Sequence, residues 1–171
     1  MRQLLMKRAR LDDLPEAPRL PAGCSLRACR ESDLPSLANL LRLAFDDESW
    51  DVDRVRRDLF DAPDVVTIHI VVCGKDVLAT ASSRRTADYP GDGYLHWVAS
   101  HPQHRGQGLG RIICLAVLDE FRALGCEGAV LETQDPRLPA IKTYLGLGFE
   151  PVMRDETHHE RWQAIHNQLR S

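Results

Sequence analysis

A chain of 171 residues is one domain by length and can bury a core without disulfide or metal staples. Its apolar content of 43%, charged content of 27% and formal charge of −3 describe an ordinary globular protein, one that offers nucleic acid no basic surface and does not favour anionic membranes. No apolar run approaches the roughly 18 residues of a membrane span, and the cysteines at 24, 29, 73, 114 and 126, without a C-x-x-C pair, read as reduced, buried thiols of a cytoplasmic protein.

In chain order, residues 3–9 read as a short edge strand and 14–23, punctuated by Pro15, Pro18 and Pro21, as a connector. The opening residues are basic but lack the apolar centre of a secretory leader, and Asp12 and Asp13 follow at once, so no targeting segment is expected. Residues 1–23 thus form an N-terminal strand and connector, and 24–171 the main domain. Residues 24–29 alternate as a strand. Ser32 or Asp33 can cap a helix over 34–45, with Pro35 in its first turn and Leu34, Leu37, Leu40, Leu41 and Ala44 as its apolar stripe. An acidic turn follows at 46–50. Asp51 then caps a second helix carrying Val52, Val55, Leu59 and Phe60. The β-branched run 65–73, the turn Gly74-Lys75-Asp76 and the run 77–86 make a hairpin.

A loop at 88–93 leads to a strand over 94–99 and a turn at His101-Pro102. Apolar residues at 109, 112, 113, 116 and 117 then carry helical spacing as far as Gly125, a good residue to close a helix. Residues 128–133 read as a buried strand. A further helix begins near 137–139, carries Leu138, Ile141, Tyr144, Leu145 and Leu147, and ends at Gly148 before a strand over 149–153. Thr157-His158-His159-Glu160 has the form of a capping box, and Trp162, Ile165 and Leu169 extend it into a terminal helix.

Gly106, Gly108 and Gly110 recur at every second position where a strand gives way to a helix. The first turn of a helix carries unpaired N–H groups and the positive end of the dipole, which is backbone chemistry for holding a phosphate. The dinucleotide fingerprint G-x-G-x-x-G would need glycine at 111, where Arg111 stands, and a Walker loop would need Gly-Lys-Ser/Thr; neither fits. Gln103-His104-Arg105-Gly106-Gln107-Gly108 resembles the acetyl-coenzyme A loop, Gln/Arg-x-x-Gly-x-Gly/Ala, of the GNAT superfamily of N-acetyltransferases, as does the next register, Arg105 to Gly110. Ala140-Ile141-Lys142-Thr143-Tyr144-Leu145-Gly146-Leu147-Gly148-Phe149 resembles the second signature of that family, Ala-Ile-x-x-Tyr-x-x-x-Gly-Phe, and the resemblance spans about residues 22–153. A slighter resemblance, in His-Trp-Val-Ala-Ser-His-Pro and Leu-Pro-Ala-Ile-Lys-Thr-Tyr, is to the half-domains of mycothiol synthases.

The resemblance implies a single α/β domain whose mixed sheet splays between the fourth and fifth main strands, counted from residues 24–29, to admit acetyl-coenzyme A as co-substrate. In it, the backbone of Val98 to Ser100 runs beside the pantetheine arm, and an N–H near Ser100 holds the thioester oxygen. Arg105, Gly106, Gln107, Gly108, Leu109, Gly110 and Arg111 form the diphosphate cradle. Tyr144 matches the tyrosine that serves many members as general acid. His96, which strict alternation puts on the face of Val98 and Ser100, is a candidate base, with Glu132 on the neighbouring strand as the other. Arg137 stands where the family often has an asparagine, and an arginine there could reach a phosphate.

Asp46 and Trp50, with Tyr89 opposite, are expected on the acceptor side, where acidic and aromatic groups suit a cationic amine. Direct transfer to a small-molecule amine is expected, by a monomer or homodimer, because Cys114 and Cys126 have no histidine beside them in sequence. No metal is expected, since His101, His104, His158 and His159 find no suitably spaced cysteines. The alternative is a non-catalytic acyl-coenzyme A sensor or partner-docking module with the same fold, to which Arg137 and the terminal helix lend weight.

Overall fold

The computed structural model describes residues 2–170; Met1 and Ser171, the outermost residues of the two segments expected above, lie outside the described residues. The strands are β1 (Leu4–Arg8), β2 (Cys24–Ala28), β3 (Val65–Cys73), β4 (Asp76–Arg84), β5 (Gly93–Ser100), β6 (Ala129–Thr133) and β7 (Glu150–Val152). The helices are α1 (Leu34–Phe45), α2 (Val52–Val55), α3 (Leu109–Ala123), α4 (Leu138–Gly146) and α5 (Thr157–Arg170). This is the element order that the apolar periodicities predict, with α2 continuing into a π turn over Arg56–Phe60.

The strands form one mixed sheet in the order β2-β3-β4-β5-β6-β1-β7, antiparallel except where β5 runs parallel to β6. Apolar residues of α3, α4 and α5 pack in one buried cluster, and those of α1 and the α2 region in another. In α3 the stripe of Leu109, Ile112, Ile113, Val117 and Phe121 is buried. Asp51 caps α2 as expected, accepting from the Arg54 N–H at 2.8 Å.

Four local expectations fail for identifiable reasons. β1 is an interior strand rather than an edge: Leu4, Leu5 and Met6 are buried between β6 and β7, as a continuous apolar run should be. Its basic residues are absorbed, Lys7 by Asp92 at 2.7 Å and Arg8 by the Leu147 carbonyl and Asp13, each at 2.6 Å. Asp33 does not cap α1; its carboxylate accepts instead from the Arg30 N–H and the Arg27 guanidinium. Thr157 does not cap α5 either: Asp155 accepts from both its N–H and its hydroxyl, at 3.0 and 2.6 Å. Cys24 and Cys73 are joined in a disulfide, because the pairing of β2 with β3 sets them directly opposite, while Cys29, Cys114 and Cys126 are free. Among the described residues, no helix is long and apolar enough to cross a membrane.

Candidate active site

The site begins where β5 and β6 part. Their pairing is limited to Gly93 with Ala129 and Tyr94 with Val130, and beyond Tyr94 the two strands diverge. Gly93 lets them start close together, since any Cβ there would overlap the Phe121 ring of α3. The divergence is the splay expected between the fourth and fifth main strands.

On one side of the gap lies a cavity of about 720 Å³ bounded by β5, the loop into α3 and α4. Gly106 and Gly108 take φ of 79° and 74°, a region that glycine enters without the Cβ clash, and so bring the loop round onto the first turn of α3. Their backbones, with Gly110, line the cavity alongside Val98, Ser100, Arg105, Leu109 and Arg111. Arg105 is exposed at the rim, whereas Arg111 is tethered, donating to the Gly146 carbonyl at 3.1 Å. Gln107 is not among the lining residues; it is exposed and its amide meets His104 at 3.4 Å. Arg137 lines the cavity with its guanidinium 4.6 Å above the Phe45 ring, a cation held on a π face. Cys114 is here too, and burial pushes its thiol up to about 12.

A smaller cavity of about 100 Å³ occupies the gap itself. It shares Phe45, Val98, Arg137 and Tyr144 with the first, and Gln3, Tyr94, His96 and Glu132 with a third cavity of about 720 Å³ on the far side. The three therefore form one passage. Tyr144 stands at the inner junction, edge-on to Phe149, with its hydroxyl pKa raised by burial.

The passage has two sides because β5 carries a bulge. Ser82 pairs with His96 and Thr80 with Ala99, so Trp97 and Val98 together oppose Ala81. One extra residue reverses the alternation beyond it. His96 and Ser100 consequently face opposite sides of the sheet, contrary to the expectation that they share one, and line different cavities. Trp97 holds the bulge in a left-handed conformation, φ 47°, with its ring edge-on to Trp50 and Phe45 at 4.7 and 5.4 Å.

Trp50 is only 1% exposed, covered by the Arg54 guanidinium 3.9 Å from its ring, so it supports Trp97 instead of presenting a surface to an acceptor. Asp46 is exposed, closes α1 in a left-handed conformation and lines none of the three cavities. The acidic turn is committed elsewhere: Asp47 is brought down to about 2 by Ser49 and Arg54. Tyr89 does line the far cavity.

Two polar constellations govern that cavity. The Arg84 Nη1 donates to His96 Nδ1 at 2.7 Å while Asp64 takes the other edge of the same guanidinium. Arginine can only donate, so His96 accepts at Nδ1 and carries its hydrogen at Nε2. Burial, reinforced by the Arg84 charge, lowers the ring pKa to about 4. A base role for His96 is therefore opposed by the geometry, since its lone pair is occupied. Glu132 is half-buried, and its Oε1 accepts from Arg154 Nη2 at 2.8 Å and from the Tyr89 hydroxyl at 3.2 Å. Oε2 is the oxygen left for a substrate. Arg84 and Arg154 escaped sequence reasoning because nothing in their local context shows that strand register and the stretch after β7 bring them here. Among the described residues, no group of three or more His, Cys, Asp or Glu side chains is placed to hold a metal ion.

Known proteins resemble this chain in sequence and in fold. The model of the acetyltransferase (GNAT) family matches residues 34–149. A mycothiol acetyltransferase of Actinosynnema mirum is 30% identical over 96% of this chain and 54% of its own length, and one of Mycobacteroides abscessus is 29% identical over 92% of this chain and 56% of its own. The chain thus spans little more than half of each. A GCN5-related N-acetyltransferase of Sphaerobacter thermophilus superposes with a TM-score of 0.68 at 19% identity, over 88% of this chain and 49% of that one, which is likeness of fold.

Proposed function

The chain belongs to the acetyltransferase (GNAT) family, and from that premise we propose that it transfers an acetyl group from acetyl-coenzyme A directly to the amine of a small molecule. The observation that carries this reading is the passage through the sheet: a loop-and-helix cradle on one side, a polar cavity on the other, and a gap between β5 and β6 where the two meet. Residues fit the cofactor there. The N–H groups of the first turn of α3 suit a diphosphate, with Arg105 at the rim and Arg137 further in, and the unpaired margin of β5 around Val98 and Ser100 suits the pantetheine arm.

Amine attack needs a proton removed, a carbonyl polarised and a thiolate protonated. We assign proton removal to Glu132, whose Oε1 is fixed by Tyr89 and Arg154 so that Oε2 can face the amine. Tyr144 serves as general acid: a buried phenol keeps its proton until a thiolate forms beside it. His96, held neutral, offers its Nε2–H as a donor. An acyl-enzyme through Cys114 is disfavoured because its thiol stays protonated. A cytoplasmic location goes with the proposed donor; the Cys24–Cys73 disulfide argues the other way, because reducing compartments keep thiols free.

Thiol release from acetyl-coenzyme A over a panel of amines tests the reading. Amine-dependent release is expected, with kcat reduced about a hundredfold and KM little changed in Tyr144→Phe. Bound coenzyme A with no release under any amine would favour a sensor module instead.

A further inference from the structure

Resting on the transfer reading above, we propose that the acceptor carries an anionic group, most naturally a carboxylate, a short span from its amine, bound by the guanidinium groups of Arg2 and Arg154. The acceptor-side cavity shares with the gap only Gln3, Tyr94, His96 and Glu132. An amine reaching the thioester must pass those residues, so the remainder of its molecule lies against the rest of the wall. That remainder is Arg2, Leu5, Arg84, Asp88, Tyr89 and Arg154, and of its three guanidinium groups Arg84 is paired with Asp64 and Arg154, through one nitrogen, with Glu132.

Two of the arginines, Arg154 and Arg2, keep donors for a ligand. Arg154 uses Nη2 for Glu132 and Tyr89, which leaves Nη1 and Nε of the fork without a partner among the described residues. Arg84 is committed within the protein, its Nε and Nη2 to Asp64 and its Nη1 to His96 Nδ1, so it shapes the wall without offering a free fork. Arg2 is exposed at the rim. A guanidinium fork matches a carboxylate or phosphate in two parallel hydrogen bonds, whereas a neutral amide or hydroxyl satisfies it only in part. Glu132 lies near the gap with Arg154 2.8 Å from it, so a molecule whose amine meets Glu132 Oε2 has a guanidinium within a short span of that amine. That is the pattern of a zwitterion.

The experiment compares ω-amino carboxylates of graded length with their primary amides and phosphonate counterparts as acceptors, by thiol release from acetyl-coenzyme A. At the best length, the carboxylate is expected to exceed its amide by about tenfold or more in kcat/KM, and Arg2→Gln, an exposed change that should leave folding intact, to narrow that ratio. A phosphonate preferred to the carboxylate would support the anion subsite and reassign its ligand. Amides equal to or better than carboxylates at every length, or transfer to uncharged amines alone, would overturn the inference while leaving the transfer reading standing. No transfer to any amine despite bound coenzyme A would overturn both, and an unchanged ratio in Arg2→Gln would remove Arg2 from the subsite.

Discussion

Trp97 shows how much one residue can decide. Its left-handed backbone inserts an extra position into β5, and everything beyond it changes face. Residue by residue, the cavity beside α3 was the legible one: Gly106, Gly108 and Tyr144 line it, and they stand in local patterns that depend on backbone shape and near neighbours. The face that His96 takes was not legible, because period-two alternation cannot reveal a bulge and spacing cannot reveal that Arg84 sits across the ladder. The consequence is measurable. In an NMR titration the His96 ring should stay neutral through the usual histidine range and protonate near about 4. The unfolded chain binds that proton nearer 6.5, so between those values it holds more protons than the native state. This group therefore lowers stability as pH falls from about 6.5 toward 4 and contributes no pH dependence above that window. A midpoint near the ordinary value would show that the Arg84 contact does not hold in solution.

Among the elements, α3 and its contact with β5 set the width of the gap. Helix limits were legible because apolar stripes, Gly125 and Gly148 mark them locally. The interior place of β1 and the Cys24–Cys73 bond were not, since both follow from which strands pair, and pairing partners lie far apart in sequence. Gly93 is where helix and strands meet most closely. Gly93→Ala should destabilise by about 1–3 kcal/mol through overpacking against Phe121, read as a lowered midpoint in thermal unfolding. Combined with Phe121→Leu, which removes part of the obstructing ring, the two losses should sum to less than their separate values. Strict additivity would mean that the contact is not as close as described.

At the scale of the whole molecule, the sheet parts between β5 and β6, and the two sides of that gap are built differently. The side proposed for the cofactor is lined largely from one continuous stretch, residues 98–111, joined by α4 and the end of α1, so a short glycine pattern was enough to point to it. The side proposed for the acceptor is lined by the N-terminal residues, β4, the loop after it, β5, β6 and the stretch after β7, brought together only by folding. On the proposed reading, selectivity for the acceptor resides in tertiary structure. The central claim, that the first turn of α3 receives the diphosphate, is tested most directly by calorimetric titration of coenzyme A into the native protein and Gly110→Glu. Gly110 has ordinary helical backbone and open space at its Cβ position, so glutamate should raise helix stability by about 1 kcal/mol, while setting a negative charge in the cradle. The account expects micromolar-range binding by the native protein, about 1 µM to 1 mM, and about a hundredfold or greater loss in a variant at least as resistant to heat. A folded Gly110→Glu that binds coenzyme A as tightly as the native chain would contradict it.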